Sequence, residues 1–399
     1  MNKVDQNDSS INGMLAVNKQ TASPYVSVVM PCLNEEAAIG ACIKKIQRVF
    51  INSNIDGEIV VCDNGSTDRS VEIAESLSAR VVHQPVKGYG SAYLMGFSCA
   101  KGKYLVMGDA DDTYDFNLIP DFLDKLDKEG NEFVTGSRYL GKGDKAITFL
   151  HRYFGNPALT AILNVFFGTK YTDVYCGFRA FSKETYELIQ PVSTGMEFNL
   201  ELAINAKMAN LKIAEIPIQL GERKGASKLR TFRDGWRSLR MMLLYCPNKA
   251  FLFPGVFLSA LGLLIHLFTL TGLLTYDGRE FSTVTGIFAL IFSVVGFQIL
   301  SLGIHVKTYS WSRRFDKSNE SLVKFYQHFN LEKGILLGLG FFLTGFLILL
   351  YLVIIWFQNN LLPLPNPEWA AFAATLFIIG LSTIFTSLFV SAMSIKPKS

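Results

Sequence analysis

The stretch Lys103–Asp115, KYLVMGDADDTYD, decides how the rest of the chain is read. Its apolar run, Tyr104–Met107, stops at Gly108 and gives way to Asp109, Ala110, Asp111 and Asp112. A short apolar run bounded by turn residues reads as a strand buried on both faces of a parallel sheet. Open α/β sheets hold their ligands beyond the carboxyl ends of such strands, so the carboxylates fall where a ligand is expected. Asp109 and Asp111 stand two residues apart, and an extended backbone points both to one side. Two converging carboxylates make an oxygen-rich site suited to Mg²⁺ or Mn²⁺, which keep waters and bridge substrate phosphates. A solvated acidic loop capping the next helix has the same letters, so the motif needs its context.

Upstream, Tyr25–Met30 is a β-rich run ending at Pro31. A helix is expected from Asn34 to Phe50, with Glu35 and Glu36 in its first turn. Glu58–Cys62 is a second apolar run, closed by the turn Asp63–Asp68 and a helix to about Ala79. Arg80–His83 is a third, and Lys87-Gly88-Tyr89-Gly90 is a loop that opens another helix. After the strand at Tyr104, a fifth run at Glu132–Thr135 ends in Gly136, Ser137 and Arg138. Strands alternating with helices predict an α/β fold: a parallel sheet covered on both faces, its polar turns gathered on one edge. No G-x-G-x-x-G follows the first strand and no G-x-x-x-x-G-K-[ST] occurs, which disfavours dinucleotide dehydrogenases and P-loop enzymes.

Downstream the composition changes. The 399 residues are 49% hydrophobic, and the apolar ones concentrate after Ala250. Four uncharged stretches, Ala250–Leu274, Phe281–Val306, Ile335–Phe357 and Trp369–Ser394, each reach the roughly 20 residues of a membrane-spanning helix. The loop Lys307–Gly334 carries Lys307, Arg313, Arg314, Lys317, Lys324 and Lys333, whereas Thr275–Glu280 has one Arg and Gln358–Glu368 none. Basic loops stay inside, and an even number of spans puts the N-terminal half with that loop, in the cytoplasm. Residues 1–24 have no apolar core and read as a disordered tail rather than a signal. Cys32, Cys42, Cys62, Cys99, Cys176 and Cys246 form no C-x-x-C pair and suit reduced, structural thiols. A net charge of +4 gives no argument for nucleic acid. Charge gathers instead near the membrane. Arg223–Arg240 holds seven basic residues against Asp234, with Leu229, Phe232, Trp236 and Leu239 between them. That reads as an amphipathic helix suited to anionic lipid headgroups. The stretch Thr148–Lys170 is too broken to span but suits a membrane interface. Glu197 and Glu201 stand four apart, on one face of a helix. The divisions expected are a tail at 1–24, a catalytic domain at 25–222, a basic juxtamembrane segment at 223–249 and a membrane domain at 250–399.

Seven stretches, taken in order, carry a resemblance: VSVVMPCLNEEAAI, VVCDNGSTDRS, KGYGSAYLMGF, GDADDTYDF, TGSRY, DVYCGFRAFSKE and ERKGASKLR. Running from Val26 to about Arg230, they resemble the family 2 glycosyltransferases, and among them the polyprenyl-phosphate sugar synthases, such as dolichyl-phosphate mannose synthase and undecaprenyl-phosphate glucosyltransferases. The resemblance implies a GT-A, Rossmann-like fold and an inverting transfer of a hexose from UDP-glucose or GDP-mannose to a polyprenyl phosphate. By position it implies that Pro31, Asn34, Glu35, Asp63 and Lys87 serve the nucleotide sugar, and that Asp109 and Asp111 hold the Mg²⁺ or Mn²⁺ against the diphosphate. It places Arg138, Arg152 and Arg223, with Ser227 and Lys228, around the acceptor and donor phosphates. A homo-oligomer occurs among relatives. Two positions depart from the pattern: Asn64 stands where a second Asp is common, and Thr113 where some members carry a Gln metal ligand, leaving Thr113 through water or Asp112 as the third contact.

Two other readings compete. Processive polysaccharide synthases usually carry Q-x-x-R-W near the membrane, and the nearest stretch here is Arg233–Arg237, RDGWR. A transporter or non-catalytic membrane scaffold is opposed by the Asp109/Asp111 pair and by spans that hold no Asp, Glu, Lys or Arg. His266 and His305, in or at the end of spans, are expected to be structural.

Overall fold

The computed structural model describes residues 23–141, 155–221, 231–273, 275–276, 279–280, 283–312, 331–364 and 366–394. The chain divides into two compact units, Met1–Leu239 and Arg240–Ser399.

The first unit is built on a seven-stranded sheet. Its strands are β1 (Val26–Cys32), β2 (Gly57–Asp63), β3 (Arg80–His83), β4 (Tyr104–Met107), β5 (Phe133–Ser137), β6 (Arg179–Ser182) and β7 (Ile213–Pro217), in the order β3-β2-β1-β4-β6-β5-β7. The helices are α1 (Ile39–Asn52), α2 (Ser70–Ser76), α3 (Tyr89–Cys99), α4 (Ile119–Asp127), α5 (Asn156–Phe167), α6 (Lys183–Ile189), α7 (Phe198–Met208) and α8 (Thr231–Tyr245), in which the division of the units falls. Side chains alternate between the two faces of a strand. Val28, Met30, Val61 and Val106 therefore pack with Ile39, Ile43 and Ile46 of α1 and Phe122 of α4. Val29, Val60, Leu105 and Met107 turn the other way, onto Tyr93 and Phe97 of α3 and Phe198 and Leu202 of α7. Both faces are covered, which is why these strands read as unbroken apolar runs.

The sheet corrects the expectation of an all-parallel arrangement. β1, β2, β3 and β4 are parallel neighbours, and β5 is parallel to β7. β6 lies between β4 and β5 and runs antiparallel to both. The physical consequence matters for the site. An antiparallel strand begins at the edge where its neighbours end, so residues 173–178 leading into β6 lie at the carboxyl ends of β4 and β5.

The helix expected from Asn34 begins at Ile39. Asn34 takes a left-handed conformation, φ 52°. The N–H groups of Asn34, Glu35 and Glu36 are bound by Ser66 Oγ, Ser70 Oγ and Asp68 Oδ2 at 3.0, 2.8 and 3.1 Å. Side chains of the loop after β2 thus take donors that a helical first turn would leave open to a cap.

In the second unit α9 (Phe253–Thr271), preceded by one π-helical turn at Asn248–Leu252, is followed by α10 (Thr283–Ser312), α11 (Leu331–Gln358) and α12 (Glu368–Ser394). These are the four spans expected, and all are long and apolar enough to cross a membrane. Large side chains such as Leu336 and Phe357 face outward, which hydrocarbon rather than water tolerates. Glycines let the helices touch. A Cβ on Gly255 would lie 2.6 Å from the Leu300 nitrogen, and one on Gly345 2.6 Å from the Ala373 carbonyl oxygen. His266 is buried and its Nε2 sits 2.9 Å from Thr375 Oγ1 of α12, a helix-to-helix hydrogen bond in keeping with a structural role.

Candidate active site

The carboxyl edge of the sheet collects the polar loops. Pro31 lies opposite Cys62 at the end of β1, beyond the last residue that pairs with β4, where its missing N–H is harmless. Asn34 is tied to the next loop: its Oδ1 accepts from Thr67 N at 2.7 Å. Glu35 is buried beside Ser70.

Asp63 ends β2 and is nearly buried. Its Oδ1 accepts from Ser66 N at 2.9 Å and its Oδ2 from Gly65 N at 3.1 Å, with His83 Nδ1 3.3 Å away. Burial pushes the Asp63 carboxyl up, but these hydrogen bonds outweigh it and hold it below the ordinary carboxylate range. Asn64, one of the two departures from the family pattern, turns inward. Its Nδ2 donates to Gln84 O and Val86 O at 2.9 and 2.8 Å, and its Oδ1 accepts from Gly88 N at 2.7 Å. An amide can donate and accept together; an ionised Asp could only accept. Asn64 therefore shapes the loop that starts α3. Lys87 Nζ lies against the same turn, donating to Asn64 O at 2.7 Å.

Beyond β4 the backbone leaves the extended conformation at Ala110 and Asp111, which form a turn. The expected same-side projection from an extended strand is thus replaced by two separately held carboxylates. Asp109 Oδ1 accepts from Tyr89 Oη and Tyr93 Oη at 3.0 and 3.3 Å. Asp111 is buried, and its Oδ1 accepts from Thr113 N at 3.2 Å and Thr113 Oγ1 at 2.6 Å. Thr113 is therefore engaged as an orienter of Asp111. Asp112 adopts φ 65° and pairs with Lys45 Nζ of α1 at 2.6 Å. Among the described residues no group of three or more His, Cys, Asp or Glu is placed to hold a metal. What Asp109 and Asp111 offer is hard oxygen only, the donor chemistry of Mg²⁺ or Mn²⁺ completed by phosphate oxygens and water.

Arg138 follows β5 and is clamped by Asp173, from the approach to β6. Nε donates to Oδ2 at 2.6 Å and Nη2 to Oδ1 at 2.8 Å, a two-toothed pair in which Asp173 is fully buried. Burial alone would lower the guanidinium pKa, and the Asp173 pair outweighs it and raises it. Two of the guanidinium's donors, Nε and Nη2, are thus spent on a carboxylate of the protein itself. Arg152, Arg223, Ser227 and Lys228 lie outside the described residues, as do 223–230 of the basic segment; the part from Thr231 is helical, with Trp236 of α8 exposed.

Sequence reasoning left out Asp173, Tyr89, Tyr93 and Asn199. Asp173 and the tyrosines stood inside the quoted stretches, but only the antiparallel β6 brings residues 173–178 to this edge. Four thiols of this unit, Cys32, Cys42, Cys62 and Cys176, are buried and free. Burial pushes them up to about 11 for Cys32 and about 12 for the others, as suits packing rather than chemistry.

The chain matches the model of glycosyl transferase family 2 over residues 27–189 and that of the family 2 C-terminal transmembrane region over residues 304–394. It is 36% identical over 372 residues to the low-salt glycan biosynthesis hexosyltransferase Agl6 of Haloferax volcanii, covering 93% of this chain and 89% of that one. A dolichyl-phosphate hexose transferase of the same organism is 36% identical over 53% of this chain and 89% of its own length. A dolichol-phosphate mannosyltransferase of Pyrococcus furiosus is 31% identical over 51% of this chain and 59% of its own. With that likeness along nearly its whole length, the chain belongs to glycosyltransferase family 2, its mixed seven-stranded unit a GT-A glycosyltransferase domain and its last part the family's transmembrane region.

Proposed function

We propose that this enzyme transfers a hexose, with inversion, from UDP-glucose or GDP-mannose to dolichyl or undecaprenyl phosphate at the cytoplasmic face of a membrane. The observation that carries the reading is the placement, on one sheet edge, of Asp63, Asp109, Asp111 and Arg138, in a chain that continues into four apolar helices. The names of the relatives, a dolichyl-phosphate hexose transferase and a dolichol-phosphate mannosyltransferase, support the acceptor class.

In this reading Pro31, Asn34, Glu35, Asp63 and Lys87 receive the nucleotide, with Asp63 kept ionised as an acceptor for base or ribose hydrogens. Asp109 and Asp111 would hold Mg²⁺ or Mn²⁺, which would supply Lewis-acid stabilisation of the departing nucleoside diphosphate. Thr113 turns Asp111 by occupying its Oδ1. The nucleophile is a phosphate oxygen already ionised near pH 7. It attacks the anomeric carbon as the bond to the diphosphate breaks, with no proton to remove, so a catalytic histidine is unnecessary. Arg138, Arg152, Arg223, Ser227 and Lys228 receive the phosphates, arginine being suited to paired hydrogen bonds with them. Membrane helices keep the enzyme on the surface that holds the prenyl tail, which turns an encounter in three dimensions into one along the membrane. The basic loop Lys307–Gly334 supports a cytoplasmic site by the positive-inside rule.

The test pairs two variants of purified protein. Asp111→Asn is expected to remain folded and lose transfer; wild-type turnover with Mg²⁺ present would remove the metal assignment. Arg223→Ala is expected to raise KM for the lipid phosphate more than for the nucleotide sugar. An equal rise in both would move Arg223 to the donor side.

A further inference from the structure

Asp109 is not simply displayed at the end of a strand; it is suspended from a buried hydroxyl network. Tyr89 and Tyr93 stand four apart on α3, and both hydroxyls reach the same oxygen, Oδ1. The two rings meet edge to face at 5.0 Å. Tyr93 is fully buried and stacks on Phe198 of α7, with ring centroids 5.7 Å apart. Behind them, Asn199 Nδ2 donates to Tyr89 Oη at 3.3 Å. The backbone around Asn199 is itself pinned: the buried guanidinium of Arg179 donates to Asn199 O, to Cys176 O at 2.8 Å and to Val174 O at 2.7 Å. Among the described residues no carboxylate pairs with Arg179; it spends its charge on three carbonyls that join the approach to β6 with α7. Gly177 completes the network. Its N–H donates to Tyr114 Oη at 2.9 Å, and a Cβ there would sit 2.9 Å from the hydroxyls of both Tyr114 and Tyr89.

We propose that Tyr89 and Tyr93 are positioning residues for Asp109: their hydroxyls fix Oδ1 so that the carboxylate meets the metal-bound nucleoside diphosphate in one orientation. This rests on the reading of Asp109 as part of the metal and diphosphate site. Two donors on one oxygen remove the rotational freedom of the carboxylate about its χ2, so binding pays less ordering entropy. Three separate stretches build the hydroxyl shell: the one around Tyr89 supplies the donors, the one around Asp109 the acceptor, and Gly177 the close approach that leaves the donors room. Partners that orient a ligand in this way are worth about 10- to 100-fold in metal affinity.

The test is Mn²⁺ binding to full-length protein in detergent, followed by electron paramagnetic resonance in the presence of UDP and, separately, GDP. Tyr89→Phe and the double variant Tyr89→Phe/Tyr93→Phe keep the rings and lose the hydroxyls. They are expected to weaken Mn²⁺ binding by about 10- to 100-fold, with cooperative melting retained. Gly177→Ala, which removes no hydroxyl but crowds Tyr89, is expected to weaken it in the same direction. Tyr104→Phe, whose hydroxyl serves Asp127 at the other end of β4, is the control and should bind as wild type. Asp109→Asn separates the two ideas. If Asp109→Asn abolishes binding while the double variant binds within twofold of wild type, the positioning role is overturned and the site assignment stands. If Asp109→Asn itself binds as wild type, both are overturned. Should the double variant not fold, Tyr89→Phe alone decides by the same criterion.

Discussion

Asp173→Ala tests the buried pair that holds β5 to the approach of β6. Asp173 is fully buried, accepts from Arg138 Nε and Nη2 at 2.6 and 2.8 Å, and also accepts from the backbone N–H of Arg138 and Tyr175 at 3.2 Å each. Removing it leaves a nearly buried cation without its counter-charge. Breaking such a pair from one side costs about 3–5 kcal/mol, against about 0–1 kcal/mol for a surface pair. At 1.4 kcal/mol per decade, local opening becomes about 150- to 4,000-fold more frequent. Amide hydrogen exchange reads this directly, because exchange of protected amides follows the opening equilibrium. Peptides covering 133–138 and 173–182 are expected to lose that much protection, while peptides of β2, remote from the pair in sheet order, lose little. The companion Arg138→Met/Asp173→Leu removes both charges and is expected to be milder than Asp173→Ala, since paired apolar replacement is often neutral. Loss of protection below about tenfold in Asp173→Ala would refute the claim that this pair anchors the edge. A double variant as damaging as the single one would refute the electrostatic explanation.

Three further outcomes follow from particular contacts. Glu58 and Asp63 both lie on β2. Burial raises each, but hydrogen bonds from Ser27 and Arg80 to Glu58, and from Ser66 and His83 to Asp63, leave both folded values below the unfolded ones. Their contribution is therefore complete above the unfolded pKa of about 4 and lost as pH falls through the folded values; Glu58→Gln should flatten the fall in melting temperature below about pH 4, and an unchanged fall would contradict this. In the membrane unit, a Cβ on Gly262 would collide with Ser293 and lie 2.7 Å from Ala289 O, whereas one on Gly340 meets nothing within 4 Å; Gly262→Leu should lower melting in detergent by separating α9 from α10, and Gly340→Leu should not, with equal effects counting against close helix contact there. Cys32, Cys42, Cys62 and Cys176 should resist maleimide at pH 7 in the folded protein and react once it is unfolded, and mass spectrometry showing their prompt native labelling would contradict their burial.

How far the letters carried depended on whether a contact was local. β1, β2 and β4 were legible because burial on both faces turns them into apolar runs, each stopped by a polar turn. The spans were legible because hydrocarbon demands length and composition, and little else. β6 was not. It is four residues long, it opens with a buried Arg179, and its direction is set by where the chain enters it. Without that reversal Asp173 could not be placed against Arg138, 35 residues away, nor Gly177 against Tyr89. The start of α1 was misplaced for a similar reason: residues 66–70, more than 30 positions on, take the N–H groups of Asn34, Glu35 and Glu36. Asn64 is the instructive case. It stands where the family pattern commonly has a second Asp, and both faces of its amide are used to hold the 84–88 loop, a contact no local stretch reveals.

The measurement closest to the central claim is a transfer assay. Purified full-length protein in detergent would receive polyprenyl phosphate, Mg²⁺ and, one at a time, radiolabelled UDP-glucose and GDP-mannose. The account predicts label in the organic phase as a lipid carrying one sugar, from one donor and not the other, and lost on adding EDTA. Label collecting instead in a long water-soluble polymer, or lipid labelling that persists in EDTA, would contradict it.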